Sequence, residues 1–152
     1  MRVMLRALQQ GDRPHVYELL QDDAVMTFIG PRQVLSDAQA HDWFEQNMQS
    51  PERYALALKD SNELIGFCGI KNIDGIDDFG YFFRKKFWGK GLASEAIDLT
   101  VQTLRKNHDL SGVELFIADA NQSSLALAKR MNWRLIKRAK KAQEQGGFYE
   151  LS

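Results

Sequence analysis

Residues 84–96 read RKKFWGKGLASEA. Gly89 and Gly91 stand two apart, directly before an apolar stripe at helical spacing, and Arg84, Lys85, Lys86 and Lys90 crowd the same turn. A helix start carries N–H groups without intrahelical partners and a partial positive charge, and glycines let a ligand approach that backbone closely. Phosphate suits such a turn, and several cations favour a polyanion such as a diphosphate over a lone carboxylate. A glycine turn decorated with solvated lysines would leave the same letters, because Gly-rich strand-to-helix turns are common.

Two named phosphate loops can be tested. A Walker A loop needs Lys followed by Ser or Thr after its second glycine, and GKGLAS has neither. The dinucleotide fingerprint is a closer rival, with Gly89, Gly91 and Ser94 as G-x-G-x-x-S and Asp119 as a later acid. In that fingerprint the strand runs straight into its first glycine, whereas here the apolar run stops at Phe83 and RKKFW intervenes. Only about thirty residues follow Asp119, too few for the rest of a doubly wound sheet.

The elements that must hold this turn follow from the rest of the chain. With 152 residues, 44% of them hydrophobic, one domain spanning 1–152 is expected. Twenty Lys and Arg balance twenty Asp and Glu, so no global field draws the protein to nucleic acid or an anionic membrane. The single cysteine, Cys68, excludes an internal disulfide, and with no secretory or transit segment and no long apolar run the cytoplasm is the expected compartment. MRVMLRAL predicts a first strand. Asp12 is expected to cap a helix over RPHVYELLQ, DDAVMTFIG a second short piece ending at Gly30, and Ser36 with Gln39 a capping box before a helix that stops ahead of Pro51. RYALALKD, ELIGFCGIK and DFGYFFR, parted by SN and NIDGID, predict an antiparallel meander. Leu92, Ala93, Ala96, Ile97, Thr100, Val101 and Leu104 then predict an amphipathic helix, GVELFIA a strand, QSSLALAKRM a helix capped by Asn121, and WRLIKRA and FYEL final strands. The class is α+β with a mixed, largely antiparallel central sheet flanked by helices.

KFWGKG resembles the [Arg/Gln]-x-x-Gly-x-[Gly/Ala] diphosphate loop of the GCN5-related N-acetyltransferases, with Lys86 in the first slot. LRALQQGDRPHVYELLQDDAVMTFIG, IGFCGI, GYFFRKKFWGKGLASEA and NQSSLALAKRMNW are similar, in order, to blocks of the branch that acetylates ribosomal-protein N-termini. Asn132 departs from the family's usual Gly before the aromatic position held by Trp133, though Asn also tolerates a left-handed helix end.

The resemblance implies an acyl-CoA N-acyltransferase fold in which central strands part and the strand at Tyr81, Phe82 and Phe83 bonds the pantetheine arm of acetyl-CoA. The diphosphate would lie on the turn from Arg84, Lys86 and Gly89 through Lys90, Gly91, Leu92 and Ala93 to Ser94. Asn121 and Ser124 match the family's polar pair near the thioester, and Asp78 the acidic slot before the GY pair. Their plainer roles are an N-cap, a first-turn polar residue and a loop carboxylate. Acetyl transfer to an amine needs a neutral nitrogen, a polarised thioester carbonyl and a stabilised thiolate. Asp78 is the candidate proton acceptor, with Glu144 and Glu150 as rivals, and a backbone N–H near Phe83 the candidate polarising donor.

Acetyl-CoA is thus the expected co-substrate, an amine the acceptor, and no metal is expected, since His15, His41 and His108 lack ligand spacing. A monomer or homodimer is expected. Cys68 reads as a small core thiol in mid-strand. Trp43 and Trp133 read as packing residues, and Trp88 abuts the turn. The seven Lys and Arg from Lys129 to Lys141, uninterrupted by an acid, suit a solvated face, and also the 3′-phosphate of CoA or a ribosomal partner. Alternatives are a non-catalytic CoA-binding or ribosome-associated module, or a dinucleotide-binding domain.

Overall fold

The computed structural model describes residues 1–151. Its strands are β1 (Val3–Arg6), β2 (Tyr54–Leu58), β3 (Leu64–Ile73), β4 (Ile76–Phe83), β5 (Leu115–Ala118), β6 (Arg134–Lys141) and β7 (Glu144–Glu150). Its helices are α1 (Arg13–Leu20), α2 (Asp23–Met26), α3 (Asp37–Gln49), α4 (Leu92–Arg105) and α5 (Gln122–Arg130). The chain forms two compact units, one comprising Met1–Gly69 with Tyr81–Thr103, the other Ile70–Gly80 with the chain from Leu104 onward.

In the first unit β1 pairs antiparallel with β2, and β2 with β3, in the sheet order β1-β2-β3-β4. Helices α1 to α3 bury Val16, Leu19 and Phe44 with Leu64, Phe67 and Phe82 of the sheet. The Ser36 capping box forms, with Gln39 N–H donating to Ser36 Oγ at 3.2 Å and Ser36 N–H to Gln39 Oε1 at 2.9 Å. Two expectations are corrected. Asp12 makes no side-chain cap for α1; its carboxylate accepts from Gln9 N–H at 2.8 Å and pairs with Arg6 of β1 at 2.7 Å. A buried carboxylate is better satisfied by a guanidinium arriving from the next strand than by one amide. The second helical piece stops at Met26, and the chain reaches Gly30 through a turn.

At Gly66 the backbones of β3 and β4 lie so close that a Cβ would come within 2.3 Å of Phe82 O and 2.8 Å of Phe83 Cα. Only glycine fits there, so Gly66 sets the path of the strand end that leads to the glycine turn. Helix α4 buries Leu92, Ala96, Ile97, Thr100, Val101 and Leu104 of the stripe its spacing predicts, with Ala93 half-buried.

In the second unit the antiparallel order is β5-β7-β6. Asn121 caps α5 by accepting Ser124 N–H on Oδ1 at 3.2 Å. The helix ends at Asn132 with φ +59°, the left-handed turn expected there, and Trp133 N–H returns to Ala128 O at 2.9 Å. One parallel bridge joins Asp78 of β4 to Glu114, through Phe79 N–H to Glu114 O at 2.8 Å and Glu114 N–H to Asp77 O at 2.9 Å. That contact makes the pairing mixed, and the antiparallel pairing within each sheet rules out the doubly wound parallel sheet that a dinucleotide domain requires.

Candidate functional site

The end of β4 and the start of α4 carry the site's backbone. Arg84 N–H donates to Ile65 O of β3 at 2.8 Å. Strand alternation then turns the backbone groups of Phe83 and Tyr81 away from β3, toward the sheet's outer edge, where β4 is the last strand. Trp88, 44% exposed, donates its indole N–H to Phe83 O at 2.9 Å. The outward carbonyl of Phe83 is therefore occupied, and its N–H is left as the group a ligand carbonyl could use. The Phe82 side chain packs into the core beside Phe67, at 5.3 Å between ring centroids, so its part in any binding is structural. Tyr81 and Phe83 stack on each other.

A 3-10 turn, Lys85–Phe87, follows β4. Here the structure corrects the cation count. Arg84 is 4% exposed, bonded to Glu18, to Glu63 at 2.7 Å and to Leu64 O at 2.8 Å, so its charge is spent on the fold rather than offered to a ligand. Lys86 Nζ also meets Glu63, at 2.9 Å. The Lys86 ammonium and the Arg84 guanidinium hold the Glu63 carboxyl below the usual carboxylate range. Gly89 and Gly91 have φ of +74° and +76°, the left-handed turn that feeds α4. The Leu92 side chain is buried, so Leu92, like Ala93 and Ser94, would reach an anion through the main chain of the helix's first turn. Lys85 and Lys90 are exposed.

Glu18, Glu63 and Arg2 were not singled out by sequence. They arrive from α1, the turn before β3 and the first strand's approach, and no local spacing links them to residues 84–95. Arg2 donates to Lys90 O and to Glu95.

The remaining candidates belong to the second unit. Asp78 Oδ1 lies 3.6 Å from Lys141 Nζ. Ser124 is buried in the first turn of α5, with Asn121 as its cap. Glu150 accepts from Arg134 at 3.0 Å, and Glu144 is half-buried at the start of β7. The basic run is largely a solvated, internally balanced face: Arg134 pairs with Glu150, Arg138 with Asp119 and Lys141 with Asp78, while Lys137 stands 5.1 Å from the Phe148 ring. Asp119, the acid a dinucleotide site would require, is held below the usual carboxylate range by Arg138.

Cys68 is fully buried in β3, and burial pushes its thiol up to about 12 against the opposing hydrogen bond of Thr100 and charge of Arg53. A thiol that far from ionising is no nucleophile at neutral pH. Cys68→Ala should leave kcat within about twofold of the parent, apart from a packing loss of about 1 kcal/mol seen in thermal melts; an acetyl group isolated on Cys68 and competent to pass to an amine would contradict this.

A family model described as an acetyltransferase (GNAT) domain matches residues 2–134. The chain belongs to the GNAT acetyltransferase family. It is 26% identical to the uncharacterized N-acetyltransferase p20 of Bacillus licheniformis over 88% of this chain and 79% of that protein. It superposes with a TM-score of 0.82 on a GNAT-family acetyltransferase from Bacillus anthracis, 24% identical, covering 98% of this chain and 92% of the other. A RimL ribosomal L7/L12 α-N-protein acetyltransferase solved with coenzyme A superposes at 0.70 with 21% identity, covering 98% and 93%. Against this family's chemistry, the donor set of the turn fits a diphosphate: left-handed glycines, a helix start and exposed lysines, beside an outward strand amide at Phe83. Among the described residues of this GNAT chain, no helix is long and apolar enough to cross a membrane.

Proposed function

We propose that this GNAT chain is a cytoplasmic N-acetyltransferase, one domain over 1–152, that moves an acetyl group from acetyl-CoA directly to a primary amine. The observation that carries this is the continuity of one backbone: the outward edge of β4 at Tyr81 and Phe83 leads through a left-handed glycine turn into the N-terminus of α4. An edge strand hydrogen-bonds an extended amide chain, and a helix start binds phosphate. Pantetheine followed by a diphosphate has those two parts in that order. The amides from Gly89 to Ser94 hold the phosphates, the strand edge at Tyr81 with Phe83 N–H holds the arm, and a backbone N–H of that edge near Phe83 polarises the thioester carbonyl.

Transfer forms an N–C bond and breaks the C–S bond. Asp78 takes the proton the amine must lose, directly or through water, and the Ser124 hydroxyl, in the first turn of the helix that Asn121 caps, donates a hydrogen bond to the departing thiolate, which then takes its proton from solvent. A protein N-terminus is the acceptor this proposal favours, supported by the resemblance to the ribosomal-protein branch and by the fold of the RimL protein. Titration calorimetry with CoA, followed by acetyl-CoA turnover against a panel of N-terminal peptides, polyamines and aminoglycosides, tests it. Micromolar CoA binding with turnover of one acceptor class is expected. Binding without turnover of any amine would favour a non-catalytic CoA-binding module, and no CoA binding would refute both.

A further inference from the structure

The start of the chain delivers a cation to the glycine turn from 88 residues away in sequence. Arg2 Nη2 donates to Lys90 O at 3.0 Å, and Nε donates to Glu95 Oε2 at 2.9 Å. The same Nη2 would lie 3.4 Å from a Cβ built on Gly91. A guanidinium has five N–H donors. These two bonds leave three without a partner among the described residues, on a side chain 55% exposed. The two bonds also aim the fork: one is to the carbonyl between the two glycines, the other to the first turn of α4.

We propose that Arg2 is a phosphate-binding residue of the cofactor site, bracing the turn through Lys90 and Glu95 and donating its remaining N–H groups to the diphosphate. This rests on the assignment of the turn to CoA. Three features support Arg2 over the cations the turn carries itself. Arg84 is buried between carboxylates, and Lys86 is held by Glu63, whereas Arg2 is solvent-facing and oriented at two points. Its planar fork matches two phosphate oxygens and sheds water more readily than an ammonium. It also neutralises Glu95, an acid in the first turn of α4, whose charge would otherwise oppose a phosphate there.

The test is calorimetric, with CoA and with 3′-dephospho-CoA as titrants on parent, Arg2→Gln and Arg2→Gln/Glu95→Gln proteins. Arg2→Gln should weaken both titrants about ten- to a hundredfold, the effect of losing a charge-assisted contact, with an unchanged thermal melt. The double variant should stay weak. Parent-like affinity in Arg2→Gln, while the parent binds CoA, overturns the Arg2 proposal and leaves the CoA assignment standing. Recovery in the double variant overturns direct donation, since it makes Arg2 only a screen for Glu95. A loss seen with CoA but absent with 3′-dephospho-CoA overturns the diphosphate contact in favour of the 3′-phosphate. A parent that binds neither titrant refutes the CoA assignment itself.

Discussion

Gly91→Glu should keep its fold and lose CoA affinity by roughly a thousandfold. At φ +76° a side chain is strained by about 1–2 kcal/mol, which for a chain of this size lowers the melting temperature by only a few degrees. The new Cβ meets nothing but Arg2 Nη2, at 3.4 Å, so the surroundings need not rebuild. The new carboxylate, however, would stand where the diphosphate is proposed to lie and would pair with Arg2 in its place. Two like charges about 4 Å apart near a protein surface oppose each other by about 4 kcal/mol, and 1.4 kcal/mol is a tenfold change in affinity. Gly91→Ala carries the same strain without the charge, and should lose far less. Calorimetric titration beside a thermal melt reads both quantities. Parent-like CoA affinity in Gly91→Glu would remove the diphosphate from this turn, and equal losses in the Glu and Ala variants would assign the effect to backbone strain.

The parts of the fold that were legible are those specified within a few residues. The Ser36 box, the α4 stripe, the Asn121 cap and the left-handed Asn132 each follow from local hydrogen bonding or periodicity, and each forms. The glycine turn belongs to the same group, since a left-handed conformation at Gly89 and Gly91 is a property of those residues. What failed depended on which of several competing partners a side chain takes, near or far in sequence. Asp12 has the letters of a helix cap, but Arg6 and Gln9 claim its carboxylate. Arg84 has the letters of a phosphate ligand, yet the chain before β3 folds Glu63 beneath it, α1 adds Glu18, and the guanidinium becomes interior structure. Arg2 is the converse: nothing near it in sequence marks a site, and only folding brings it to Lys90. A charge count along the chain cannot separate the cations that face a ligand from those consumed by carboxylates, because that division is made by tertiary neighbours. The catalytic candidates stand between these cases, since Asn121 and Ser124 occupy their helix start as expected while Asp78 acquires Lys141, 63 residues further along, as a neighbour.

That neighbour sharpens the test of Asp78. As the proposed proton acceptor, Asp78 is worth about a hundredfold or more in kcat, and Asp78→Asn should show that deficit at neutral pH. The deficit should shrink as pH rises toward the acceptor amine's own pKa, because an amine already neutral in solution needs no carboxylate. The sign distinguishes this from a structural role. If Asp78 served only to hold Lys141 at 3.6 Å, Asp78→Asn and Lys141→Gln would have similar, small effects with no dependence on pH in this range. As a base, Asp78 should survive Lys141→Gln with most of its rate, whereas Asp78→Asn removes the acceptor oxygen charge whatever Lys141 does. Ser124 gives the internal contrast. It is the proposed hydrogen-bond donor to the leaving thiolate, so Ser124→Ala should lower kcat with little change in the KM for acetyl-CoA, and high pH should not rescue it, since deprotonating the amine does nothing for the leaving thiolate. The measurement is a pH series of kcat and kcat/KM for the three single variants against the parent. An Asp78→Asn deficit that is negligible, or constant across pH, would return Asp78 to the role of an ion-pair partner. Glu144, half-buried where β7 begins, would then be the next carboxylate to remove.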